Sequence, residues 1–141
     1  VTGTRQAGDP LETGPTRTWQ AAHRFNGDIR LNAHVIGGGT AVTVTAGAQS
    51  ASAAAGSNGA KDNAGVINTT AAASPAAGTI VRVTYVTAYD AIPKVVLTAR
   101  NAAAAAVGLY VTAESAAGFS VATAIVPGAG AALPFTYHVV G

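Results

Sequence analysis

The chain reads as an all-β protein, an antiparallel, jelly-roll-like β-sandwich preceded by an extended N-terminal arm and a short shaft-like strand. Three observations carry that expectation. Gly78–Tyr89 (GTIVRVTYVTAY) is rich in β-branched and aromatic residues and contains no internal Gly or Pro. It splits into two alternating sets, Ile80, Arg82, Thr84 and Val86 against Val81, Val83, Tyr85 and Thr87, and a period of two marks a strand. One set is wet and the other apolar, as in an antiparallel sheet with one solvated face. Finally, strand-like runs separated by turn residues recur to the end of the chain.

At 141 residues the chain fits one domain with an arm, read as 1–24 extended linker, 25–39 shaft-like segment and 40–141 sandwich. Val1–Arg24 is polar, is punctuated by Gly3, Gly8, Pro10, Gly14 and Pro15, and keeps no period, so it would be disordered alone. Trp19 stands out there as an anchor, either on the chain's own domain or on a neighbouring subunit. From Phe25, the Asn26-Gly27 turn pair precedes an alternation of Ile29, Leu31, Ala33 and Val35 with Arg30, Asn32 and His34, a half-buried strand.

Ala41–Thr45 follows as a strand. Ala46–Gly65 has the composition of loops, although Ser50–Ala55 can pair as a strand of small residues, and Gly65–Thr70 is a further strand. Pro93 ends the long central segment, and Lys94–Thr98 starts another strand. Asn101–Ala106 is too short to nucleate a helix in water, so it reads as a loop or as one helical turn capped by Asn101. Val107–Ala113, Gly118–Ile125 and Leu133–Val140 complete the set. Phe119, Val121 and Thr123 share one face of their strand, and Phe135, Tyr137 and Val139 share one face of the last.

Composition excludes several classes of function. Hydrophobic residues make up 49% of the chain, but many are Ala, which offers little area to bury. A thin core of this kind predicts self-association. The net charge of +2 is spread over scattered cations, with no clustered basic stripe for nucleic acid. The absence of Cys removes disulfides and thiolate metal sites. No run of 18 apolar residues predicts a membrane span, and no signal peptide is apparent. The chain begins at Val1 and has no Met, so either an initiator has been removed or the sequence is part of a longer protein.

The segments GSNGAKDNAGVINTT, SPAAGTIVRVTYVTAYDAIPKVVLTARNAAAAAVGLYVTAESAAGFSVATA and FTYHVVG occur in that order. Together they resemble the C-terminal domain of phage minor tail and tail-fibre proteins. That family carries a small-residue opening, a long strand, P-K-V-V-L-T, N-A-A-A-A, Y-V-T/S, G-F-T-V and a final F-x-Y-x-V-I-G. FNGDIRLNAHV is similar to the F-N-G-D-V-x-L-N-G repeats of fibrous trimeric shafts, though Ala33-His34 departs from the usual small residues and only one unit is present. The resemblance covers Phe25–Gly141 and leaves open a fibre tip, a tail component or a head decoration. It implies a virion structural protein, homotrimeric, associated with other virion proteins and located at the particle surface. It also places the Phe25–Val35 strand near a three-fold axis, with Trp19, Phe25, Ile29, Leu31, Ala33 and Val35 at the subunit interface.

The catalytic inventory is short. No two acids share a strand, so the paired carboxylates of a glycan-cleaving tail find no counterpart. Ser120 has no His and acid at supporting spacing. The expectation is therefore no enzyme, no cofactor and no metal. His34 and His138, at polar-facing strand positions, and the scattered Asp62 and Asp90 supply no spaced ligand set. For a host cell-surface glycan, Tyr89 beside Asp90, together with Tyr110, are the candidate contacts. Arg82 and Thr84 form a second candidate surface, and ordinary sheet-surface roles remain open for all of them. The alternatives in kind are a capsid decoration or head-fibre protein bound through its arm, and a glycan-binding adhesin module.

Overall fold

The computed structural model describes residues 40–56 and 59–140. The expected arm and shaft-like strand, with Trp19, Phe25, Ile29, Leu31, Ala33 and Val35, lie outside the described residues. The remainder is a β-sandwich of two antiparallel four-stranded sheets. Its strands are β1 (Thr43–Ala46), β2 (Ser50–Ala55), β3 (Ala64–Ala71), β4 (Gly78–Thr84), β5 (Lys94–Ala99), β6 (Leu109–Ser115), β7 (Gly118–Thr123) and β8 (Phe135–Val140). One five-residue helix, α1 (Ala102–Ala106), joins β5 to β6. The first sheet has the order β1-β4-β7-β6 and the second β2-β3-β8-β5. Only β2-β3 and β6-β7 pair as sequential neighbours, so every other pairing joins strands distant in sequence.

Alternation sets what faces inward. Val81, Val83 and Tyr85 are buried, while Arg82, Thr84 and Val86 are exposed. Ile80 breaks the pattern and is fully buried, because the β4–β7 register shifts between Thr79 and Val81. A bulge of this kind gives one extra residue to the strand and turns it inward. The inner faces meet around Phe119, Phe135, Tyr137, Ile67 and Leu133. Each such side chain contributes about 1.5–3 kcal/mol on burial. Two of the three Phe and two of the four Tyr are buried here, so the sandwich has a fuller core than its Ala content suggests.

One boundary is corrected. The central strand stops at Thr84, not at Tyr89. The Asp62 carboxylate accepts the N–H groups of Val86 (2.8 Å) and Thr87 (3.0 Å), which bends the chain out of the ladder. Of the two readings of Asn101–Ala106, the structure takes the capped turn: Asn101 Oδ1 accepts from Ala104 N at 2.7 Å, and Asn101 Nδ2 donates to Ala132 O at 3.0 Å. The small-residue alternative at Ser50–Ala55 is likewise the one adopted, as β2.

The sandwich therefore has two distinct ends. At the loop end, β4 stops, β7 begins, and segments 61–63 and 85–93 meet. At the helix end lie α1 and the connections before β4 and β8.

Candidate functional site

On the outer face of the first sheet, register brings three strands into rungs. Thr79, Ala122 and Tyr110 form one; Arg82, Ser120 and Ala113 the next; Thr84, Gly118 and Ser115 the third. The middle strand, β7, shows this face only Gly118, Ser120 and Ala122. On the β4 side the longer Thr79, Arg82 and Thr84 flank it, and on the β6 side Tyr110, Ala113 and Ser115. A trough of about 280 Å³ lies on this face, and Arg82, Thr84, Glu114, Ser115, Gly118 and Ser120 are among the residues that line it.

Gly118 is needed for this shape. A Cβ there would strike the carbonyl oxygen of Val83, and the residue also has a φ of +157°. Only glycine lets β4 and β7 approach so closely at the trough floor.

The polar groups of the trough differ in how they are used. Ser115 Oγ lies 3.1 Å from Gly118 O and accepts from Ala117 N at 3.3 Å, so it is committed to the β6–β7 turn. Glu114 also lines the trough, and its Oε1 accepts Val95 N of the second sheet at 3.3 Å. Arg82, Thr84 and Ser120 make no side-chain hydrogen bond or ion pair among the described residues. Ser120 is nevertheless only 5% exposed.

The glycan candidates are separated. Tyr110 is 48% exposed and stands on the rung next to Arg82. Tyr89 sits at the opposite end of β6, where its N–H donates to Ala116 O at 2.9 Å. Six residues of strand separate Tyr110 from Ala116, about 20 Å. Tyr89 is half-buried, packs edge-on against Tyr85 at 5.1 Å between ring centroids, and donates its hydroxyl to Asp62 O at 3.2 Å. Burial, and then the Asp62 charge, push its pKa up. Asp90 is exposed beside it. Of the sequence candidates, Tyr110, Arg82 and Thr84 thus share the outer face of the first sheet, with Tyr110 outside the trough lining, while Tyr89 and Asp90 lie at the loop end. Ser120 entered the sequence reading only as an unsupported nucleophile. Its position beside Arg82 follows from cross-strand register, which a single sequence does not display.

Below the trough, the core tyrosines form a chain with Phe119. Ring centroids lie 6.0 Å apart for Tyr85–Phe119 and 5.2 Å for Phe119–Tyr137. The Tyr137 hydroxyl donates to Lys61 O, whereas the buried Tyr85 hydroxyl finds no partner among the described residues. Burial, reinforced by Tyr89, Glu114 and Asp62, pushes the Tyr85 pKa up to about 12. None of these phenols can act as a general base near neutral pH.

Among the described residues no group of three or more His, Asp or Glu side chains is placed to hold a metal ion, and no helix is long and apolar enough to cross a membrane. His138 is exposed on the outer face of the second sheet. Comparison of the chain with protein-family models, curated proteins and solved structures finds no match.

Proposed function

We propose that this chain is a non-enzymatic structural protein of a phage virion, of tail-fibre or minor-tail type, assembling as a homotrimer and meeting the host surface. The observation that carries the reading is the order of the family-like segments. P-K-V-V-L-T falls on the start of β5, N-A-A-A-A on α1, Y-V-T on β6, G-F-S-V on β7 and the terminal F-T-Y-H-V-V on β8. The segments that carry the resemblance are thus the same units from which the sandwich is built.

Two further features support it. The carboxylates of Asp62 and Glu114 are engaged by backbone N–H groups of other segments, which is a structural use of acids. Val96 and Val140 are exposed on neighbouring strands of the second sheet's outer face, as suits a chain that associates.

Immunogold labelling of phage particles tests the location: labelled tails are the expected result. Labelled heads would favour a decoration protein, and unlabelled particles would reject the virion reading. Light scattering across dilution tests assembly, with three times the chain mass expected. A stable monomer at micromolar concentration would reject the trimer.

A further inference from the structure

We propose that the helix end of the sandwich rests on a lipid bilayer. Ile125 and Val126 enter the boundary between headgroups and acyl chains, and Arg100 and Tyr110 lie at the headgroup level. This deepens the host-contact part of the reading above and rests on it only for where such a membrane would be met.

The helix end is apolar and uncharged. It is made by segments 47–49, 72–77, 101–108 and 124–134, none of which holds a charged residue. Their only polar side chains are Gln49, Ser74 and Asn101. Gln49 is engaged by Ala76 N, and Asn101 by Ala104 N and Ala132 O. Two large aliphatic side chains are nonetheless in water here, Ile125 at 60% and Val126 at 56% exposure. They stand where the chain leaves β7, and Ile125 N donates to Val107 O just past α1. At the loop end, by contrast, the exposed Val86 and Ile92 have Asp90 and Lys94 close by in the chain.

The distribution of charge selects the partner. All three acids among the described residues lie toward the loop end: Asp62 and Asp90 in its segments, and Glu114 one residue before the end of β6. The charge that borders the helix end is a cation. Arg100 N donates to Pro134 O, while its guanidinium has no hydrogen bond or ion pair among the described residues. An Arg stem lies along apolar surface with its head in the polar layer, and a cation is drawn to anionic lipid. Tyr110, the second residue of β6 and 48% exposed, borders the same end with a ring that is apolar in body and polar at its tip. Aromatic residues of this kind collect at the membrane–water interface. A protein partner needs about 800 Å² of matched surface on each side, whereas a bilayer adapts to a small apolar tip. The chain joins the sandwich at the opposite end, where Val42 N donates to Ala60 O and Thr43 pairs with Thr84. The contact lies on the membrane and does not span it.

The test is flotation of the intact chain with vesicles of phosphatidylcholine, alone or mixed with phosphatidylglycerol. The wild type should float with both, and more with the mixed vesicles at low salt. Val126→Asp should lower the bound fraction about ten-fold or more, because a charge replaces a side chain in the apolar layer. The paired change Ile125→Ser and Val126→Ser, which adds no charge, should fall between. Arg100→Gln should remove only the gain from phosphatidylglycerol. Ile92→Asp, at an equally exposed site of the loop end, should float like the wild type. All these positions are exposed, so urea midpoints should match that of the wild type. A wild type that does not float overturns the proposal, as does flotation undiminished by Val126→Asp or equally reduced by Ile92→Asp. A Val126→Asp chain of lower mass in light scattering overturns it as well, since another copy would then cover this end. Each of these failures leaves the immunogold result, and with it the virion reading, untouched.

Discussion

The two ends of the sandwich are closed by different means. At the loop end, side chains reach across between segments distant in sequence. Asp62 holds the N–H groups of Val86 and Thr87, Tyr89 donates to Asp62 O, and Tyr137 donates to Lys61 O. At the helix end backbone groups and short polar side chains share the work. Leu133 N donates to Thr69 O at 2.8 Å, Ala71 N to Ala131 O at 2.9 Å and Ala124 N to Val107 O at 3.0 Å, while Ser50 Oγ bonds Thr69 Oγ1 and Thr70 O, Gln49 Oε1 accepts Ala76 N, and Asn101 caps α1. The comparison shows where a chain so rich in Ala places most of the aromatic residues in its described part. They converge on the end where β4 leaves its sheet and the ladder no longer satisfies the backbone.

The largest test of this asymmetry is Tyr137→Ala. Its ring is fully buried between Phe119 and the second sheet, and its hydroxyl is the donor to Lys61 O. Loss of a buried aromatic ring costs about 3–5 kcal/mol. Urea unfolding should show a midpoint lowered accordingly, and a loss below about 2 kcal/mol would mean that the loop end does not depend on its tyrosines.

Asp62→Ala comes next. Two backbone N–H groups lose a charged acceptor, for about 1–3 kcal/mol in total at partly exposed positions. Hydrogen exchange should accelerate at Val86 and Thr87 while Val81 and Val121 in the core strands stay protected. Equal acceleration throughout would show that Asp62 supports the whole fold and not the 85–93 segment.

Asp62 also marks the limit of what the sequence could reveal. The alternation from Ile80 to Thr87 is unbroken on paper, yet the strand ends at Thr84. An acid more than twenty positions earlier takes the N–H groups that the ladder would have used. Local pattern sufficed for β3, β5, β7 and β8, whose periods and turn residues agree. The burial of Ile80 depends on a register shift against β7, and the trough depends on register across three strands. Both are pairings between distant segments. The same limit explains why Arg82 and Thr84 are legible as a polar face while Ser120, across from Arg82, is not.

At the helix end the expected effect is smaller. Asn101→Ala removes the acceptor for Ala104 N and the donor to Ala132 O, and the loss of an N-cap costs about 1 kcal/mol. Asn101→Asp keeps the cap but not the donor, and should recover part of that loss. If Asn101→Ala proved as costly as Tyr137→Ala, the contrast between the ends would disappear.

The smallest effect near neutral pH is expected at Tyr85, and its sign is the informative part. Tyr85 shares the ring packing of Tyr137, with Phe119 as a common neighbour, but its hydroxyl is buried without a partner among the described residues. Tyr85→Phe removes an unsatisfied group and keeps the ring, so stability at pH 7 should be unchanged or raised by up to about 1 kcal/mol. At high pH the variant should diverge from the wild type. The Tyr85 pKa is raised to about 12 in the folded chain, against an unfolded value of about 10. Below pH 10 both states keep the proton and stability does not depend on this group. Above pH 10 the unfolded chain releases the proton first, so stability falls as pH rises through about 12. Tyr89 and Tyr137 are raised as well, chiefly by burial, and steepen the fall. Urea midpoints at pH 8 and pH 11 should therefore drop less for Tyr85→Phe than for wild type. An identical drop would mean that the Tyr85 hydroxyl reaches solvent, and that the loop end is less tightly closed than its ring packing implies.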